Sequence, residues 1–205
     1  SHIAVLEALL RLRQVCGDLR LLGADEAQQY STEDSAKMLY LMEMLRNLTA
    51  QGRRILVFSQ FTSTLALIAT ELHAAQIDFV QLTGQTADRR TPVQRFQAEE
   101  VSVFLISLKA GGVGLNLTAA DTVIHVDPWW NPASEAQASD RAYRIGQTKP
   151  VTIYKLIARG SVEEKIQQLQ QHKADLARSI LDGGTSVSTG LDSTTIAALL
   201  APLNA

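Results

Sequence analysis

Arg53-Arg54-Ile55-Leu56-Val57-Phe58-Ser59-Gln60-Phe61-Thr62 is the stretch that decides the fold. Four apolar residues in a row end in polar ones, and a helical pattern holding Leu65, Ile68 and Leu72 follows, which predicts a βα unit. Further strands are predicted at Phe79–Leu82, Val103–Ser107, Thr122–Val126 and Val151–Ile157, with helices around Val93–Phe96 and from Ala133 to Arg144. These strands are continuous apolar runs rich in β-branched residues and separated by helices, the pattern of a parallel sheet covered on both faces. The expected fold is therefore an α/β, doubly wound parallel sheet flanked by helices. Such sheets bind ligands at the carboxyl ends of their strands, so function is sought in the loops after Phe58, Leu82, Ser107 and Val126.

Upstream, Ile3 to Leu22 places Leu6, Leu9, Leu10, Cys16 and Leu19 near one another on a helical wheel, with Arg11, Arg13 and Arg20 expected in solvent. A polar connector runs from Leu22 to Ser35. A second helix is capped by Ser35, carries Met38, Leu41, Met42, Leu45 and Leu48 at three-and-four spacing, and stops before Gly52. Downstream of Gly160, the positions Val162, Ile166, Leu169, Leu176 and Ile180 describe one long helix that braces the domain from outside and ends at Asp182-Gly183-Gly184. A Ser/Thr/Gly-rich linker leads to a last short helix with Ile196, Leu199 and Leu200, stopped by Pro202.

At 205 residues, 46% hydrophobic and 20% charged, the chain has enough apolar content for one main domain with an accessory element. Its 19 basic and 21 acidic residues give a net charge of -2, which argues against a stand-alone nucleic-acid binder but leaves room for a local basic stripe. The single cysteine, Cys16, cannot form an internal disulfide or a metal cluster, and it reads as a reduced, buried thiol. No apolar run approaches the roughly 18 residues of a membrane span, and the start lacks the layout of a secretory signal. A soluble, cytoplasmic protein, nucleoid-associated if bacterial, is the expectation.

Four segments carry chemistry. In Gln137-Ala-Ser-Asp-Arg141-Ala-Tyr-Arg144-Ile-Gly146-Gln147, positions 137, 141 and 144 would project from one helix face. Two parallel guanidiniums repel unless an anion lies before them, and their planar forks match phosphate oxygens; the same pattern taken alone also fits a solvated helix face. Ser107-Leu-Lys109-Ala-Gly111-Gly112-Val-Gly114-Leu-Asn116 follows a strand directly, and three glycines in four positions let backbone N–H groups approach a phosphate. It lacks the Gly-Lys-Ser/Thr ending of a P-loop, so contact with a nucleic-acid strand suits it better than cradling a triphosphate. Ser59-Gln60-Phe61-Thr62 offers hydroxyl and amide donors at a helix start, although Thr62 also reads simply as an N-cap. In Asp127-Pro128-Trp129-Trp130-Asn131-Pro132, one tryptophan is expected to pack inward, leaving the other to meet sugar and base faces.

The runs ILVFSQFT, LISLKAGGVGLNLTAADTVIHVDPWWNPASEAQASDRAYRIGQ and SVEEKIQQLQQHKADLARSIL resemble the second motor lobe and bracing helix of SWI/SNF-type ATPases of helicase superfamily two, in their bacterial and archaeal flavour. LRLRQVCGDLRLL and SAKMLYLMEML are similar to the segment joining the two lobes, so the likeness covers nearly the whole chain. Two departures are visible: Tyr143 stands where many members have histidine, and Gly17-Asp18 replaces the more usual His-Pro.

The resemblance implies a RecA-like fold divided into an inter-lobe helix and connector (1–35), a helicase C-terminal domain (36–160), a bracing helix (161–184) and a linker with a short C-terminal helix (185–205). It implies that Arg141 and Arg144 act as arginine fingers on an ATP whose phosphates and Mg2+ are held by the N-terminal lobe of the same protein. It further implies that Gln137, Gly112, Gly114 and Asn116 lie near the nucleotide, and that Ser59, Gln60, Phe61, Ser107, Lys109, Gly111, Trp130 and Asn131 contact double-stranded DNA. RNA polymerase, another DNA-bound protein, or a non-hydrolysing interaction role remain open as alternatives. No Gly-Lys-Ser/Thr occurs in the sequence, so the P-loop lobe is expected before residue 1, and this piece alone is expected not to hydrolyse ATP. Asp25-Glu26-Ala27-Gln28 resembles an acidic helicase box, but with no strand before it, it reads as a decoy. The motor reading rests on Arg141 and Arg144 sharing one outlook: side chains turned inward or apart count against it.

Overall fold

The computed structural model describes residues 2–23, 29–108, 110, 114–142, 146–181, 199 and 201. Helix α1 (His2–Gly17) is followed by single 3-10 turns at Leu19–Leu21 and Thr32–Asp34 and by α2 (Ala36–Ala50). Then come β1 (Ile55–Ser59), α3 (Thr62–Ala74), β2 (Phe79–Leu82), α4 (Arg90–Gln97), β3 (Val103–Ser107), β4 (Thr122–His125), α5 (Pro132–Ser139), β5 (Thr152–Lys155) and α6 (Val162–Leu181). The acidic tetrapeptide at 25–28 and the last short helix, apart from Leu199, lie outside the described residues.

All five strands are parallel, in the order β2-β3-β1-β4-β5. β1 is central, and its alternating side chains build two cores. Leu56 and Phe58 pack with Phe96 of α4, Phe104, Ile106, Trp129 and Ala138 of α5 on one face. Ile55 and Val57 pack with Met38, Leu41, Met42 and Leu45 of α2 and with Leu65, Ile68 and Leu72 of α3 on the other. This is the doubly wound parallel sheet that the continuous apolar runs predict, in the RecA-like form that the family resemblance implies. The chain travels to one side of β1 through β2 and β3 and to the other through β4 and β5, which places the crevice at the carboxyl ends of β1 and β4.

Several local expectations are revised. Gly52 does terminate α2: at φ +72° it lets its own N–H reach Thr49 O and that of Arg53 reach Leu48 O, at 2.9 and 3.0 Å. Ser35 stands at the head of α2, but its hydroxyl accepts from Leu19 N rather than capping the helix. β5 is shorter than expected and exposed along its length, because it is an edge strand. α5 stops at Ser139 instead of Arg144: the N–H groups of Arg141 and Ala142 turn back only three residues, and Arg141 O is taken by Leu117 N at 3.2 Å.

In α1, Leu9 is buried while Leu6 and Leu10 are about half exposed, so the apolar face is narrower than the wheel suggested. Arg13, expected in solvent, is only 4% exposed. Cys16 is half-buried, and burial raises its thiol pKa. α6 braces the fold by docking on α1: Val162 and Ile166 pack with Leu9 and Leu199. Leu176 and Ile180 fall beyond the described side chains. No helix among the described residues is long and apolar enough to cross a membrane.

A buried ion pair clamps the sheet to α6. Lys37 Nζ donates to Val126 O at 2.8 Å and Leu156 O at 3.3 Å and pairs with Glu163 at 2.5 Å, with both side chains nearly inaccessible. Ala158 N donates to the same carboxylate at 2.8 Å. Lys37→Met is expected to cost about 3–5 kcal/mol in urea unfolding, because it strands a buried carboxylate, whereas Lys37→Met with Glu163→Leu recovers only part of that loss, since the Val126 and Leu156 carbonyls and the Ala158 amide are left without these partners.

His125 provides a second test. It stacks on Phe58, meets the edge of Trp129, and shares a 2.9 Å hydrogen bond between its Nε2 and Ser139 Oγ. Burial holds its pKa down at about 4, against the pull of Glu135 and with the help of Lys155. The folded state therefore resists a proton that the unfolded chain accepts near 6.5, so stability is full above that pH and declines as pH falls towards 4. The loss attributable to His125 is about 3 kcal/mol, and the wild-type decline should exceed that of His125→Gln by most of this amount.

Candidate nucleic-acid and nucleotide interface

At the carboxyl edge of the sheet, the loops after β1 and β4 are bound to each other through Asp127. Its buried carboxylate accepts the Ser59 hydroxyl on one oxygen and Gln60 N–H at 3.1 Å on the other, while Ser59 Oγ accepts from Phe61 N at 3.1 Å. Burial raises the Asp127 pKa, opposed by these donors and by the nearby Arg13 and Lys37 charges. Pro128 O, one residue on, accepts from Gln60 Nε2 and from Arg13 Nη2, both at 2.7 Å.

The two tryptophans separate. Trp129 is buried beside His125, its backbone N–H directed at Glu135 and its carbonyl accepting from Gln170 of α6. Glu135 is itself buried and paired with Lys155. Trp130 is half-buried with its ring beside the Arg13 guanidinium. Asn131 caps α5 by accepting from Ala133 N at 3.0 Å. Gln147, in the stretch after Arg141, serves the fold: its amide donates to the carbonyls of Thr118, Ala120 and Ala142 at 2.7–3.0 Å.

Gln60, Trp130, Asn131, Gln137 and Arg141 line one cleft of about 380 Å³, walled by Phe58, Leu108, Trp129 and Ala138. The other expected site residues are placed differently. Ser59 and Ser107 face each other in register at the ends of β1 and β3, and both are buried; the Ser59 hydroxyl is committed to Asp127. Phe61, not Thr62, occupies the N-cap position of α3. Gly114, at φ +38°, and Asn116 are exposed in the loop before β4 and do not line the cleft. Lys109, Gly111, Gly112 and Arg144 lie outside the described residues.

Arg141 departs from the expected helix face. It sits in the turn after α5 and is 4% exposed, part of the cleft wall rather than an outward projection. The guanidinium pair thus does not carry the assignment. Two further contributors are hidden in the sequence. Asp127 has no motif around it that signals its role, and Arg13 reads as solvent-facing although it lies four residues from Leu9, on the face that packs.

Comparison with known proteins supplies the family. The helicase conserved C-terminal domain matches residues 36–146. The chromatin-remodeling ATPase INO80 of Neurospora crassa is 44% identical over 160 residues, 77% of this chain and 8% of that protein. That of Cryptococcus neoformans is 47% identical over 158 residues, covering 76% and 9%. The chain thus spans under a tenth of these relatives. Among solved structures, the Sulfolobus solfataricus SWI2/SNF2 ATPase core in complex with dsDNA aligns at TM-score 0.74 and 33% identity, over 98% of this chain and 42% of that one. The C-terminal part of the Fun30 ATPase domain aligns at TM-score 0.63 and 34% identity, over 78% and 54%.

The expectation of a cytoplasmic, nucleoid-associated protein is overturned by the curated relatives, which are chromatin-remodelling ATPases of fungi, where chromatin is nuclear. Their names carry chromatin rather than RNA polymerase, and that alternative is dropped. With the parallel sheet, the family match and the alignment to SWI2/SNF2 cores in agreement, the chain belongs to the helicase conserved C-terminal domain family, as the C-terminal lobe of a SWI/SNF-type ATPase.

Proposed function

We propose that this lobe works within an ATP-driven motor that moves along double-stranded DNA and remodels what is bound there. The observation that carries this reading is the cleft at the ends of β1 and β4, where Gln60, Trp130, Asn131, Gln137 and Arg141 converge. The alignment with an ATPase core in complex with dsDNA supports it.

Two kinds of contact are assigned. Trp130 offers a ring, and Gln60 and Asn131 offer amides, to sugar and phosphate, which fix a protein on a duplex without reading its sequence. Phe61 extends that surface, with Ser59 and Ser107 shaping the strand ends from within, and Lys109 and Gly111 are assigned to the same duplex contact. Arg141 and Arg144 are assigned to the nucleotide, with Gln137, Gly112, Gly114 and Asn116 nearby.

ATP with Mg2+ supplies the phosphoryl group and the metal charge. The residues present fit the phosphate end better than the metal, since a guanidinium lines the cleft while the buried carboxylates Asp127 and Glu135 are engaged within the fold. Metal binding is therefore assigned to the other lobe. Arg141, held in a poorly solvated wall, needs little rearrangement to meet charge developing on a phosphate, and such preorganisation is what makes a positioned cation effective.

In the intact protein, Arg141→Ala and Arg144→Ala are each expected to lower DNA-stimulated ATP turnover on the order of 10³-fold. Turnover at the wild-type level would remove the finger assignment. The 205-residue chain by itself is expected to release no phosphate above background with or without duplex DNA, and a DNA-stimulated rate from it would contradict the division of labour between lobes.

A further inference from the structure

Arg13 is a cation in an unexpected place. Its guanidinium lies 5.2 Å from the centre of the Phe61 ring and 5.0 Å from that of Trp130, and Nη2 donates to Pro128 O at 2.7 Å. It is 4% exposed, and its Nε has no hydrogen-bond partner among the described residues. A buried cation is costly to keep. Leucine or methionine would fill the same space without that cost, but would take a donor from Pro128 O and a nearby cation from Asp127, so the arginine is there for what its head group meets.

The three groups it touches come from the two loops that form the cleft. Phe61 follows β1, and Pro128 and Trp130 follow β4. Pro128 O is shared with Gln60, itself a cleft residue. Arg13 belongs to neither loop: it reaches in from α1, which is docked against α6 through Leu9, Val162 and Ile166. A planar guanidinium can meet two aromatic faces while its edge bonds a carbonyl, which a lysine ammonium cannot do.

We infer that Arg13 is a positioning residue for the cleft, setting the Trp130 and Phe61 rings for nucleic acid and passing any displacement of α1 to them. This rests on the reading of the cleft as a DNA-contacting surface. Arg13 itself meets no substrate. It acts by fixing where the Trp130 ring stands and by holding the Pro128 carbonyl that Gln60 also uses.

The test is made in the intact ATPase with duplex DNA as the probe, resolving half-saturating DNA concentration from turnover at saturating DNA. Arg13→Lys keeps the charge and loses the planar fork. It is expected to raise half-saturating DNA roughly tenfold, the size of one lost stacking contact, with a smaller change in turnover at saturation. If Arg13→Lys folds poorly by thermal unfolding, Arg13→Gln, which keeps a donor for Pro128 O, is read in its place.

A double-mutant cycle with Trp130→Leu then decides the route. If Arg13 works through Trp130, its substitution adds less than about twofold on the Trp130→Leu background. A full tenfold increment there, or wild-type DNA dependence in the single Arg13 variants, overturns the inference while leaving the cleft reading intact. Wild-type DNA dependence in Trp130→Leu overturns the cleft reading, and this inference with it.

Discussion

A buried carboxylate governs the carboxyl edge of the sheet. Asp127 has no solvent to stabilise its charge, so it depends on the Ser59 hydroxyl and the Gln60 amide, and these are reachable only if the turn after β1 lies directly beside the loop after β4. The parallel pairing of β1 with β4 delivers that geometry, placing Phe58 opposite His125 one step before the two loops diverge. Everything lining the cleft hangs from this joint. Gln60 is the residue whose N–H Asp127 holds, Trp130 and Asn131 follow within four positions, and α5 starts from Asn131. Loss of the Ser59 hydroxyl would leave one oxygen of a buried carboxylate without its donor, which costs more than losing an ordinary surface hydrogen bond.

The architecture was readable because β1, β3 and β4 are apolar without interruption, and only a sheet covered on both faces can bury such runs. The separation of Trp129 from Trp130 was readable too, since a tryptophan ring is more often packed inward than left as a platform. What stayed hidden depended on partners remote in sequence. Arg13 bonds a carbonyl 115 positions away, and a helical wheel sends every arginine outward by default. α5 reads longer in the sequence than it is because nothing local in Asp140-Arg141-Ala142 says that Leu117 will claim the Arg141 carbonyl. The same omission explains why Arg141 is found in the cleft wall rather than on an outer helix face.

The charged residues inside the fold share one principle: each is spent on backbone groups where elements end. Lys37 takes the carbonyls beyond β4 and β5, and Glu163 takes the amide of Ala158 ahead of α6. Arg13 takes Pro128 O. Strand and helix ends leave donors and acceptors that regular pairing cannot satisfy, and where those ends are covered by α1, α2 and α6, only a side chain can reach them. The first and last helices are therefore fastened to the sheet by polar hardware as much as by apolar contact.

β5 leaves a different mark. Its outer backbone has no neighbouring strand among the described residues, and Ile153 and Tyr154 stand more than a third exposed on it. A bare strand flank with apolar side chains is a template for adding another chain, and only Lys155, itself drawn towards Glu135, interrupts it. Wherever such a flank is left bare at high concentration, its unpaired backbone favours pairing between chains.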